Sequence, residues 1–195
     1  METADASDAE LLRAYKAGSA SAFARLYDRH DRASFDFVRR MMGFADDATA
    51  QDLHQEVWIA VARAAGSFDE TQSRFVTWLF TIARNKVMDQ FRRTSGVVHL
   101  GGESGELALA ELADDDALSP EHIAENAQLA AAIVKEVQAL PFVQRETFVL
   151  FAQSDLALEE VAQITGVGLE TAKSRLRYAR RALRSRLAGW TTRHG

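Results

Sequence analysis

Apolar positions fall at helical spacing in one segment of this chain after another. Near the C-terminus Ala172, Leu176, Ala179, Leu183 and Leu187 follow one another at intervals of four, three, four and four, which places them on one side of a 3.6-residue helix. Just upstream, Val161, Ala162 and Ile164 give a shorter helix an apolar face, Gly166 supplies a tight turn, and Val167 returns to the core. This pair predicts a helix-turn-helix. At the other end, Ser7-Asp-Ala-Glu10 spells a capping box, so a helix starts at Asp8 and runs through Leu11, Leu12 and Tyr15 to Gly18. Ser19 or Ser21 can open a long helix with Phe23, Leu26, Tyr27, His30, Phe37, Val38 and Met41 on one side, ending near Gly43. His30 is expected at the core edge with its polar atoms satisfied. A third helix is predicted from Asp47 to Ala65, with Leu53, Val57, Ala60, Val61 and Ala64 inward and Gly66 as its stop.

Beyond it, Ser67 to Ser73 reads as a polar loop carrying one exposed-looking aromatic, Phe68, and Ser73 can cap a helix from Arg74 to Arg93. Phe75, Trp78, Leu79, Ile82 and Phe91 supply its apolar face. Trp78 is expected in the core, with stacking on a nucleobase as the alternative. Ser119-Pro120 then opens a helix through Ile123, Ala127, Ala130, Ile133, Val134 and Val137 to Leu140-Pro141, and a short one follows over residues 142–153. Trp190 to Gly195 is expected as a frayed tail.

With two prolines and abundant Ala, Leu, Glu and Arg among 195 residues, the fold class is all-α. The expected architecture is two small helical domains joined by a flexible acidic linker: residues 1–93, a linker over 94–118, and residues 119–195. The linker is defined by charge. From Thr94 to Val134 there is no Lys or Arg against eight acids, and four glycines sit in its first part.

Charge is partitioned in the opposite sense at the C-terminus. Between Lys173 and Arg186 lie seven positive charges and no acid. Solvated helices ordinarily interleave acids at four-residue spacing, so this one needs a polyanion, and a helix-turn-helix points to duplex DNA. Thr171, Lys173, Ser174, Arg175, Arg177 and Tyr178 are nearest base edges, with Arg180, Arg181 and Arg184 suited to phosphates. The chain carries a net charge of -5, and without those seven bases the balance falls to -12, so general coating of nucleic acid is excluded. The juxtaposition also predicts that the acidic segment, or the acidic face of the N-terminal domain, transiently covers the basic helix in the free protein. The absence of cysteine excludes disulfides, thiol nucleophiles and cysteine metal sites. No apolar run spans a membrane and no signal peptide is present, so a cytoplasmic location is expected.

On the third helix Asp52, Gln55 and Glu56 share a surface while His54 points about 200° away from Asp52. The Asp-x-His-x-Glu spelling is therefore not a metal triad. The surface is either an ordinary solvated face or an acidic docking surface. On the fourth helix Asn85, Asp89 and Arg92 share a face beside Arg93, which makes a second polar and basic site for nucleic acid, or a helix end where Asp89 pairs with Arg93. No catalytic constellation, metal site or cofactor site is found. Gly102-Glu-Ser-Gly105 is one residue short of a nucleophile elbow.

Two separated blocks resemble one family. Asp52-Leu-His-Gln-Glu-Val-Trp58, Phe68-Asp69, Phe75-Val-Thr-Trp-Leu79, Ile82-Ala-Arg-Asn85, Asp89 and Arg92-Arg93 resemble region 2 of bacterial extracytoplasmic-function (ECF) sigma factors. Leu140-Pro141, Arg145, Glu159-Glu-Val-Ala162, Gly166-Val167 and Thr171-Ala-Lys-Ser-Arg-Leu176 resemble region 4. The resemblance implies a protein that binds core RNA polymerase and directs it to promoter DNA, without enzyme activity of its own. It implies that Asp52, Leu53, Gln55 and Glu56 dock on the polymerase. Ser67, Phe68, Asn85, Asp89, Arg92 and Arg93 would hold the opened -10 element, and Thr171, Lys173, Ser174, Arg175, Arg177, Tyr178, Arg180 and Arg181 would read the -35 element. An anti-sigma factor is a candidate partner. Gly168, Glu170, Arg177-Tyr178 and Ala157 depart from the family pattern, which bears on the -35 sequence read and on the helix starts. A stand-alone helix-turn-helix regulator and a sigma mimic that sequesters an anti-sigma factor are the alternatives.

Overall fold

The computed structural model describes residues 6–43, 47–95, 129, 131–153 and 156–191, and every regular element among them is helical. In chain order they are α1 (Asp8–Lys16), α2 (Ala20–Met42), α3 (Asp47–Ala64) followed by a 3-10 turn (Ala65–Ser67), and α4 (Phe75–Ser95). The C-terminal unit comprises α5 (131–138), α6 (Phe142–Gln153), α7 (Leu158–Thr165) and α8 (Leu169–Thr191).

Local chemistry sets the boundaries. Ser7 Oγ accepts from the Glu10 amide at 3.3 Å while the Ser7 amide donates to Glu10 Oε2 at 2.8 Å, a complete capping box. Ser19, rather than Ser21, caps α2 by accepting from the Ala22 amide. α7 ends at Gly166, whose φ of +68° only glycine adopts without strain. There the Val167 amide donates to the Ala162 carbonyl at 3.0 Å and the Gly166 amide to Gln163 at 3.2 Å, the paired bonds that close a helix and reverse the chain.

Leu26, Phe37, Val57, Val61, Leu79, Phe80 and Val87 are fully buried where α2, α3 and α4 meet, and Leu11 and Leu12 bring α1 onto them. Each such side chain contributes about 1.5–3 kcal/mol of transfer free energy. In the C-terminal unit Val149, Leu150, Val161, Ile164, Ala179 and Leu183 join α6, α7 and α8. The two units are not apart. α4 packs on α7 and α2 on α6, the Phe91 and Phe142 rings meet edge to face at 5.1 Å, and the apolar cluster runs through both.

Three expectations change. α4 continues through Thr94 and Ser95, two residues past its predicted end at Arg93, because no breaker precedes Gly96. The rest of the linker, its six central acids and the Ser119-Pro120 cap lie outside the described residues, as does any contact of that segment with α8. α8 runs through Trp190 and Thr191, predicted as tail: Gly189 lowers helix propensity by about 1 kcal/mol but does not by itself end a helix. Phe68 is 8% exposed, buried against Phe75 and Trp78 and not a free aromatic. A polar loop still needs an apolar anchor, and Phe68 supplies it.

Candidate polymerase and nucleic-acid interfaces

On α3, Asp52 and Gln55 are exposed and Glu56 is half-buried, its Oε2 accepting from Lys86 Nζ at 3.0 Å. Leu53 is 3% exposed and sits in the core, so it can support this face but cannot touch a partner. Beside the exposed acids a cavity of ≈ 580 Å³ opens between α2 and α3, lined by Phe23, Tyr27, Phe35, Trp58 and Ile59, with Gln55 at its edge. His54 lies beneath it. The Trp58 indole N–H, which can only donate, reaches His54 Nε2 at 3.0 Å and Ser34 Oγ at 3.3 Å. Burial pushes the imidazole pKa down from 6.5, opposed by the Asp31 carboxylate at 3.8 Å. The side chain predicted to point away from Asp52 is thus a neutral core group. His30 likewise meets its expectation, with Nε2 2.7 Å from Asp8 Oδ2.

The 67–74 loop is folded before any partner arrives. Asp69 accepts from the Thr71 amide (2.9 Å), the Thr71 hydroxyl (2.7 Å) and Gln72 Nε2 (3.0 Å), and these bonds hold its carboxyl below the usual range. From α1, Lys16 Nζ donates to the Phe68 carbonyl at 2.9 Å and lies 5.9 Å from the ring centre, while Arg13 faces Glu70 at 3.6 Å. A cavity of ≈ 310 Å³ lies between α1 and this loop. Ser67 is exposed, its hydroxyl donating to the Ala64 carbonyl. Farther along α4, Asn85, Asp89, Arg92 and Arg93 are all exposed. Asp89 pairs with Arg92 at 2.8 Å, whereas Arg93 reaches only the Asp89 carbonyl, so the pairing predicted for Arg93 goes to the residue one position earlier.

On α8 the apolar stripe is buried as spaced, and Thr171, Lys173 and Arg181 are exposed with Ser174, Arg177, Tyr178 and Arg180 half-buried. Lys173 is not a bare charge: Glu170, one turn earlier and outside the acid-free window, takes its Nζ at 2.8 Å and raises its pKa. Arg180 stacks over Phe151 at 5.0 Å and Arg177 over Tyr178 at 5.6 Å. Arg186 faces Glu136 at 3.6 Å. Arg175 is half-buried, and burial lowers its pKa against the opposing charge of Glu146.

Sequence reasoning missed the polar contacts between the two units. Glu160, at the start of α7, accepts from Arg74 Nη1 at 3.0 Å, from the Thr77 hydroxyl at 2.6 Å and from the Ala157 amide at 3.0 Å. Glu146 is fully buried and accepts from Arg84 Nε at 2.7 Å. One signal was present: Val143, Glu146 and Leu150 occupy a stripe at spacings of three and four, so Glu146 stands where an apolar residue belongs. Among the described residues no group of three or more His, Asp or Glu is placed to hold a metal ion.

Residues 26–96 match the family model of Sigma-70 region 2, and residues 130–183 that of Sigma-70 region 4. Over 180 residues the chain is 29% identical to ECF RNA polymerase sigma factor SigW of Bacillus subtilis, covering 90% of this chain and 94% of that one. It is 30% identical over 178 residues to ECF sigma factor SigK of Mycobacterium ulcerans, covering 90% of each. The fold matches that of CnrH in complex with the cytosolic domain of CnrY, with a TM-score of 0.64 and 24% identity over 95% of this chain and 99% of that one. It also matches the sigma factor RpoE of Bartonella quintana in complex with the anti-sigma factor NepR, with a TM-score of 0.62 and 25% identity over 85% and 96%. The chain belongs to the extracytoplasmic-function RNA polymerase sigma factors.

Proposed function

We propose that this sigma factor docks on core RNA polymerase through Asp52, Gln55 and Glu56 of α3, holds the opened -10 element with the 67–74 loop and the Asn85, Asp89, Arg92, Arg93 face of α4, and reads the -35 duplex with α8. The observation that carries the reading is one chain bearing, in region 2 to region 4 order, an exposed acidic face on α3 and a helix with seven bases behind a helix-turn-helix. Residues 1–93 and 119–195 form the two functional domains and residues 94–118 join them. No enzyme activity is assigned to the chain. No helix among the described residues is long and apolar enough to cross a membrane, and the sites of action require the cytoplasm.

The test is Asp52→Arg, alone and together with Glu56→Arg, which reverses charge on the α3 surface; the single variant leaves the Glu56–Lys86 pair to α4 intact. Core polymerase binding and run-off transcription should both fall by an order of magnitude or more while the helical content is kept. Unchanged core affinity would remove α3 as the docking face. A second partner is favoured by the RpoE likeness, since that protein is bound to an anti-sigma factor. The apolar cavity between α2 and α3 adjoins the docking acids, so an anti-sigma factor that covers Tyr27 and Ile59 competes with polymerase.

A further inference from the structure

Lys86 of α4 stands between the two surfaces assigned to this half of the chain. Its Nζ donates to Glu56 Oε2 of α3 at 3.0 Å, and the two side chains keep 32% and 44% of their surface exposed. Glu56 belongs to the acidic face with Asp52 and Gln55, whereas Asn85, next to Lys86 in sequence, belongs to the -10 face. Residues 86, 89 and 93 follow at spacings of three and four, so Lys86 shares a strip of α4 with Asp89 and Arg93. The Glu56–Lys86 pair therefore joins the docking face to the DNA face.

Charge along that strip depends on the pair. From Lys86 to Arg93 the charged residues are Lys86, Asp89, Arg92 and Arg93. Asp89 neutralises Arg92 at 2.8 Å, and Arg93 reaches only the Asp89 carbonyl. With Glu56 on Lys86 the strip offers DNA one net positive charge, that of Arg93; without Glu56 it offers two. A carboxylate neutralises one cation at a time. Once a basic group of polymerase meets Glu56, the net charge beside the -10 face rises by one, whether Lys86 leaves the carboxylate or shares it.

We propose that Lys86 is a phosphate-binding residue of the -10 face held in reserve by Glu56, and that polymerase docking at Glu56 frees its charge for the backbone of the opened strand. The proposal rests on the reading of α3 as the docking face and of α4 as the -10 face. Linkage makes the effect reciprocal: a strand held by Lys86 frees Glu56 for polymerase, so each ligand tightens the other by the same factor. An exposed pair sets that factor at about two- to five-fold.

The test titrates the full chain, free and bound to core polymerase, with a single-stranded oligonucleotide of mixed sequence over a range of salt, since phosphate contacts carry no sequence information. One phosphate contact adds about 0.7 to the slope of log affinity against log salt for a single strand. In the free protein Glu56→Gln should raise affinity about two- to five-fold and steepen the slope by about 0.7, and Glu56→Gln with Lys86→Gln should return both to the parent values. In the holoenzyme Lys86→Gln alone should flatten the slope by about 0.7. No gain in the free Glu56→Gln protein, a gain that survives in the double variant, or an unchanged slope for Lys86→Gln holoenzyme would each overturn the proposal. Core affinity of Glu56→Gln separates the causes. If it falls several-fold while one of those outcomes appears, the role of Lys86 alone is removed; if it does not fall, Glu56 is no docking residue and the reading beneath the proposal goes with it.

Discussion

Two polar side chains, one buried and one exposed, show how a single residue acts on the surface beside it. His54 sits under the apolar cavity of α2 and α3, accepting from Trp58, and burial keeps it neutral. Its folded pKa is below 6.5, so below that pH the unfolded chain binds a proton that the folded chain refuses, and stability falls as pH drops through this window until the depressed native value is reached. Each unit of depression is about 1.4 kcal/mol. Urea unfolding at pH 7.5 and 5.5 should show a loss of stability in acid that His54→Gln, which keeps an acceptor for the indole, largely removes; an equal slope in the variant would assign the effect to other groups. Lys16 acts on the other side of the same domain. Its ammonium ties α1 to the Phe68 carbonyl, but the side chain is largely exposed, so the bond is worth less than a buried one. Lys16→Met should weaken binding of single-stranded -10 DNA a few-fold and leave -35 duplex binding untouched. A change in both would mean that the substitution disturbs the fold rather than the loop.

Helix starts carry the clearest element-scale defect. α7 begins at Ala157, whose backbone is extended as a cap requires but whose side chain has no acceptor. Glu160 reaches back to the Ala157 amide, which completes half of a capping box and leaves the Glu160 amide without its partner. Ala157→Ser should supply the missing oxygen and stabilise the C-terminal unit by about 0.5–2 kcal/mol, read as a rise in its melting midpoint. Gly168 opens α8 with clear space for a Cβ, but glycine is already an acceptable cap, so Gly168→Ser should gain only a few tenths of a kcal/mol. A larger gain at Gly168 than at Ala157 would contradict this account. Elements were legible in the sequence because caps and stripes are local: Ser7 with Glu10, Ser19, Gly166 and the five-residue stripe of α8 each fix a boundary or a face without reference to the rest of the chain. Phe68 was misread because its state depends on contacts outside its loop, and the end of α4 because nothing local stops the helix there. The Phe68 ring is buried by Phe75 and Trp78, and helix α4 continues past Arg93 simply because nothing stops it.

At the scale of the molecule, charge and packing pull in different directions. Seven bases on α8 call for a polyanion, yet three acids meet this helix: Glu170 takes Lys173, Glu136 faces Arg186, and Glu146 attracts Arg175. The pairings with Glu136 and Glu146 were not legible, since they depend on which helices pack, whereas Glu170 and Lys173 stand three residues apart on one helix and follow from spacing alone. The faces themselves were legible, and the structure keeps Asn85 and Lys173 exposed on different units. That separation makes a division of labour measurable. Lys173→Ala should weaken -35 duplex binding and, where the ammonium meets a base edge, relax preference at that position by about 1–3 kcal/mol. If it meets a phosphate instead, affinity drops for all sequences alike and the slope of log affinity against log salt falls by about 0.9. Asn85→Ala carries no charge change, so it should impair single-stranded -10 binding while leaving both the salt slope and the -35 affinity as they were. Because Glu170 already holds Lys173 in the free protein, Glu170→Gln should raise duplex affinity in the opposite sense, and the gain should shrink as salt screens the exposed pair. Equal losses of both activities in the Asn85 and Lys173 variants would show that the two DNA faces do not act separately.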